Sequence, residues 1–185
     1  MAKTIRLANP LQMDSIVDGE GIRSVIWTQG CSHNCEGCHN PETHDFNNGF
    51  KMSIEILKRE ISNLKNQDGI TFSGGDPMFQ IDAVLELAKY CQSIGLNVWC
   101  YTGFTFEQLL LISKTNHNLQ DLLKNIDVLI DGKFILKEKS MSVIFRGSKN
   151  QRILDVKKSL KLGKAYEIKK YQIKQTTYKK EYIFV

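Results

Sequence analysis

The sequence predicts an α/β fold built from parallel βα units. Three observations predict it. Apolar, β-rich runs recur at 23–28, 69–73, 96–101 and 127–131. Stretches with helical spacing of apolar residues separate the later runs. Turn-forming residues stand at the joints. Strands that alternate with helices pair in parallel and connect right-handedly.

Each element has its own warrant. RSVIWT (23–28) is an apolar β-rich strand that leads into a cysteine loop. From Ser53 to Asn66 the residues Ile54, Leu57, Ile61 and Leu64 fall on one helical face, with Ser53 placed to cap the start. GITFS (69–73) is the next strand and ends at Gly74-Gly75. Ile81–Ile94 reads as a helix closed by Gly95. LNVWCY (96–101) is a third strand. Thr105 and Gln108 have the spacing of a capping box, opening a leucine-rich helix. DVLID (127–131) is a further strand. In such folds chemistry gathers at the carboxyl ends of strands. The cysteine loop, Ser73–Asp76, Tyr101–Phe104 and Asp131–Lys133 all follow strands, so the pattern predicts that they share one rim.

Size and composition set bounds. A chain of 185 residues suits one domain with a sizeable core, and 42% hydrophobic residues are ordinary for a globular protein. No apolar run is long enough to span a bilayer, and the beginning MAKTIRLANP lacks a signal-peptide pattern, so the expected place is the cytoplasm. The net charge of +5 is concentrated at one end. Residues 157–185 hold nine Lys and two Glu, whereas the remainder is slightly acidic. The basicity therefore gives the body of the chain no nucleic-acid character. The division expected is a domain over 1–160 and a lysine- and aromatic-rich extension over 161–185. The extension reads as a β-hairpin or edge strands guarded by lysines, with docking to a partner or nucleic acid as the alternative.

Three of the five cysteines, Cys31, Cys35 and Cys38, stand in the run GCSHNCEGCHN. Disulfides would need an oxidising compartment. Zinc is a better alternative, because Cys3His is a known set and His33 and His39 are close by. Zinc knuckles usually come as two C-x2-C pairs, and no second pair follows here. Three thiolates in one short loop suit an iron–sulfur cubane with one iron left for another ligand. Cys91 and Cys100 lie in apolar surroundings and read as packing residues.

C-x3-C-x2-C after the first strand, with a Gly-Gly-acidic turn after a later one, resembles the radical S-adenosylmethionine enzymes. VDGEGIR (17–23) and HNPET (39–43) resemble the branch that activates glycyl-radical enzymes. SGGDP, YTGF, IDGKF and RGSKNQR narrow the likeness to activators of anaerobic ribonucleotide reductase. The resemblance covers about 14–156. It implies a partial, open parallel β/α barrel of the radical SAM type. It also implies a 4Fe–4S cluster on Cys31, Cys35 and Cys38 and S-adenosyl-L-methionine on the remaining iron. Reductive cleavage to a 5′-deoxyadenosyl radical would then make a glycyl radical on a partner protein. The implied partners are the large glycyl-radical subunit of an anaerobic ribonucleoside-triphosphate reductase and an electron donor such as flavodoxin.

The resemblance also assigns roles along the rim. Ser73, Gly74, Gly75 and Asp76 would meet the ammonium end of S-adenosylmethionine, with Asp76 adding negative charge beside a positive ligand. The backbone at Gly37 and His39 would lie near the adenine, and Thr102 near the ribose. Asp131 and Lys133 would close the site, Lys133 facing the carboxylate; a surface ion pair is the other reading of that lysine. His33 reads either as a tuner of the cluster or as a solvated loop histidine. RGSKNQ reads either a ligand or the loop itself. Two departures matter. Gly37 stands where many radical enzymes carry an aromatic residue. Tyr101-Thr102 stands where other activators hold a cation through Asp-Thr. Alternative functions are activation of another glycyl-radical enzyme, small-molecule chemistry of the deazapurine-synthesis type, or a zinc-knuckle binding module.

Overall fold

A computed structural model describes residues 2–172. Among these residues eight strands form one sheet: β1 (Thr4–Leu7), β2 (Gln12–Ser15), β3 (Arg23–Thr28), β4 (Phe50–Ser53), β5 (Gly69–Gly74), β6 (Asn97–Tyr101), β7 (Val128–Asp131) and β8 (Arg152–Asp155). Five helices accompany them: α1 (Ile54–Ser62), α2 (Ile81–Ser93), α3 (Phe106–Ser113), α4 (His117–Lys124) and α5 (Val156–Leu162). The strand order is β4-β1-β3-β5-β6-β7-β8, with β2 on β3. The order does not close on itself. The central four strands, β3, β5, β6 and β7, pair in parallel, while β1, β2, β4 and β8 join antiparallel. The fold is a mixed α/β structure with an open, parallel-rich sheet.

Alternation along the strands builds two apolar layers. Ile70, Phe72, Val98, Cys100 and Leu129 face the helices and pack with Leu57, Leu87, Leu119 and Leu122. Trp99, Val128, Ile130 and Ile153 face the other way and meet Tyr171. α1 is held by Ile54, Leu57 and Ile61, each worth about 1.5–3 kcal/mol when buried. Ser53 sits at its N-cap position, but its hydroxyl makes no capping bond. Thr105 and Gln108 form the capping box at the start of α3. The leucine-rich stretch it opens is two helices rather than one, because Asn116 interrupts it and caps α4 through Leu119 N. Gly95, at φ +81°, follows α2.

The expected boundary at 160/161 falls inside α5. The chain then returns to the sheet: Asp155 N donates to Tyr166 O, Ile168 N donates to Ile153 O, and Leu154 pairs with Glu167. Tyr171 is 6% exposed and packs edge-on to Trp99 and Phe145. Ala165, Ile168 and Tyr171 therefore pack against the core from a returning segment that ends in a 3-10 turn (Lys169–Tyr171). The remainder of the expected hairpin, 173–185, lies outside the described residues. Among the described residues no helix is long and apolar enough to cross a membrane.

Candidate iron–sulfur site at the strand ends

Parallel pairing of β3, β5, β6 and β7 brings their carboxyl ends to one side. A cavity of about 600 Å³ opens there, within the range of small-molecule sites. All three clustered cysteines line it, together with Ser73, Gly74, Gly75, Thr102, Gly132 and His39. Sequence-distant segments thus meet on one rim.

The cysteine loop hangs between two backbone ties. Cys31 N donates to His44 O at 3.0 Å, and Asp76 N donates to Gly30 O at 3.0 Å. The second tie joins the loop directly to the Gly-Gly turn. Gly75 N also donates to Thr28 O at 2.7 Å. A Cβ on Gly75 would lie 2.4 Å from Gly30 O, and one on Gly74, at φ +100°, would lie 2.5 Å from Thr28 O. These glycines are required where the ends of β3 and β5 touch, which also keeps the wall of the cavity thin.

The three thiols are half-buried. Burial pushes the Cys31 thiol up to about 11, although the His33 backbone N–H bonds its sulfur and opposes the shift. Burial also raises Cys35, against an N–H bond from Phe134. Metal must displace those protons, because thiolate is the ligand. Among the described residues no three His, Cys, Asp or Glu side chains surround a single point as one metal ion requires. A cubane asks for a different arrangement, one thiolate on each of several irons. The donor set, all sulfur and on one loop, fits such a cluster.

Other expected site residues fall in different places. Asp131 does not line the cavity. Its carboxylate, 1% exposed, accepts from Arg152 Nε at 2.9 Å and from Phe106 N at 2.7 Å. There it braces β8 and caps α3. Lys133 is exposed on the same rim, close enough to favour the Cys35 thiolate, and makes no ion pair among the described residues. Gly37 is exposed, at φ +69°, beside Leu136. The His39 ring packs 4.8 Å from Phe134.

Asp76 is also buried, at 1% exposure, behind the cavity wall. It accepts from Met78 N, Thr102 Oγ1 and Gly103 N, each at 2.9 Å, and meets His33 Nε2 at 2.7 Å. The carboxylate's bonds are all to protein groups behind the cavity wall. His33 is likewise not solvated: its side chain is 9% exposed and its ring sits 4.7 Å from Phe104 and 5.7 Å from Phe79. No signal within the loop itself marks that burial, because the partner lies 43 residues away.

The RGSKNQ segment ties down its own loops. Gln151 Oε1 accepts from Gly147 N, Gln151 Nε2 donates to Gly132 O, and Asn150 Nδ2 donates to Lys133 O. Arg146 donates to Gln151 O and Tyr171 O. A second cavity, about 660 Å³, lies at the strands' amino ends. Its Arg23 spends all five donors on Thr71, Ile70 O, Glu20 O and Asn97, and Lys170 pairs with Glu20.

An open α/β sheet with three thiols at its strand ends suits an iron–sulfur protein. Comparison agrees: the family described as 4Fe-4S single cluster domain matches residues 17–154. The chain is 35% identical over 146 residues to the anaerobic ribonucleoside-triphosphate reductase-activating protein of Vibrio cholerae, covering 75% of this chain and 90% of that one. It is 34% identical over 145 residues to the Escherichia coli K12 protein of the same name, covering 74% and 90%. The counterpart in Enterobacteria phage T4 is 32% identical over 145 residues, covering 74% and 86%. The chain belongs to the family of anaerobic ribonucleoside-triphosphate reductase-activating proteins.

Proposed function

We propose that this protein is a radical S-adenosylmethionine enzyme that installs a glycyl radical on an anaerobic ribonucleoside-triphosphate reductase. One observation carries the reading: Cys31, Cys35 and Cys38 line the same strand-end cavity as Ser73–Gly75 and Thr102. A 4Fe–4S cluster with one iron open would supply an electron to the sulfonium of S-adenosylmethionine, splitting it to methionine and a 5′-deoxyadenosyl radical.

The chain's own residues bind, orient and shield. Cys31, Cys35 and Cys38 would hold the cluster, and S-adenosylmethionine would bind at the iron they leave without a thiolate. The backbone of Ser73, Gly74 and Gly75 offers carbonyl groups to the ammonium. Lys133, on the rim, serves the carboxylate. Backbone at Gly37 and His39 borders the adenine and Thr102 the ribose. Tyr101, Phe134 and Phe145 line the cavity and exclude water from a reactive carbon radical. The open sheet, read as a partial radical SAM barrel, leaves a mouth through which a partner's glycine loop can enter. The barrel domain takes in the described chain through 172, and the cytoplasm is the compartment that suits the thiols. Flavodoxin is the kind of electron donor that fits.

The test is anaerobic incubation of reconstituted protein with reductant, S-adenosylmethionine and the reductase. A doublet glycyl signal in electron spin resonance, dependent on both proteins, supports the reading. A reductase that stays silent while another glycyl-radical enzyme is activated redirects it to that partner.

A further inference from the structure

Besides its backbone ties, the loop that carries the cysteines is anchored inward by the His33 side chain. Ser32, Asn34 and Glu36 are exposed, whereas the His33 side chain is buried. The chain reverses immediately afterwards at Asn34, φ 49°. From this position the His33 ring meets Asp76 Oδ2 at 2.7 Å.

The same Oδ2 oxygen accepts from Thr102 Oγ1 and Gly103 N at the end of β6. The fit is tight: a Cβ on Gly103 would lie 2.4 Å from the His33 ring. Phe46, Phe79 and Phe104 pack around this contact in a chain of tilted and edge-on rings. One buried oxygen therefore joins the cysteine loop, the turn after β5 and the turn after β6. All three segments line the cavity.

We propose that His33 and Asp76 are positioning residues that lock the cysteine loop to the turns following β5 and β6, so that the cluster corner and the S-adenosylmethionine cradle are set as one unit. This rests on the function proposed above for its second half only. The locking itself is a property of the cluster-free chain. A hydrogen bond to a charged group in a buried site is strong, and outer-shell partners of ligand loops typically govern metal affinity about 10–100-fold.

The test uses three proteins: wild type, His33→Phe and His33→Gln. Phenylalanine keeps ring volume among the aromatic neighbours and removes the bond. Glutamine keeps a donor that reaches Asp76. In reduced, cluster-free protein, pulse alkylation with mass spectrometry reads each thiol separately. The expected result is about tenfold faster labelling of Cys31 and Cys35 in His33→Phe, with His33→Gln within about twofold of wild type. Cys91 and Cys100, both 0% exposed, should stay protected throughout and report that the core is folded.

In reconstituted protein, equilibrium dialysis should show S-adenosylmethionine binding weakened about tenfold in His33→Phe and restored in His33→Gln. Wild-type labelling rates in His33→Phe would overturn the lock, as would glutamine behaving like phenylalanine. Labelling of Cys91 in step with Cys31 would also overturn it, by showing that the bond supports the whole core. If wild type never takes up iron, the function above fails, and the alkylation arm still decides the lock.

Discussion

At the scale of single residues, the five cysteines divide by surroundings. Cys31, Cys35 and Cys38 reach the cavity, while burial pushes Cys91 up to about 12 and makes it a poor nucleophile and ligand. Cys35→Ala should therefore lose iron and S-adenosylmethionine cleavage together, with little change in melting temperature of the cluster-free protein. Cys91→Ser should keep its iron at a cost of about 1–3 kcal/mol, because a hydroxyl replaces an apolar thiol in the core. Iron-to-protein ratios and thermal melts read both. Gly75 makes a different demand. With Gly30 O only 2.4 Å from its missing Cβ, Gly75→Ala must push the cysteine loop away from β5. More than about 1 kcal/mol of stability should go, measured by denaturant unfolding, with S-adenosylmethionine binding weakened alongside.

At the scale of elements, the legible parts of the sequence were those whose surroundings are uniform. RSVIWT and GITFS are buried nearly throughout, so composition alone marks them as central strands. β1, β2, β4 and β8 are four residues each, and their alternation is too short to stand out. α5 hides because VKKSLKL looks like the start of a charged tail, although Val156 and Ser159 are buried. The cysteine loop and the Gly-Gly turn were readable as a site because their chemistry is local. The buried roles of Asp76, Asp131 and His33 were not, since each depends on a partner brought from elsewhere in the chain.

Asp131 illustrates what such a partner does. Arg152 grips it from β8 and also holds Glu107 of α3. Arg152→Met should cost about 3 kcal/mol, at the low end for breaking a buried pair because Arg152 is partly in solvent. The bond from Arg152 holds the Glu107 carboxyl below its usual value of 4.5. A lowered carboxylate contributes stability above its unfolded value and loses it as pH falls through the folded one. Melting temperature should thus drop on acidification below about pH 4.5, and less steeply in Arg152→Met than in wild type.

At the scale of the whole molecule, an open sheet has two faces to satisfy. Helices cover one. On the other, the returning segment ends in Tyr171, whose hydroxyl donates to Glu20 and whose ring completes the aromatic cluster of Trp99 and Phe145. Tyr171→Ala should cost about 3 kcal/mol, read by denaturant unfolding, which would mark residues past 160 as part of the fold. The opposite end of that face stays open at the cavity, and the central claim concerns what happens there. The most direct measurement is 5′-deoxyadenosine released by oxygen-free, iron-loaded protein given reductant and S-adenosylmethionine. Release by wild type, and none by Cys35→Ala, is the predicted result. Iron-loaded wild type that releases no more than Cys35→Ala would contradict it.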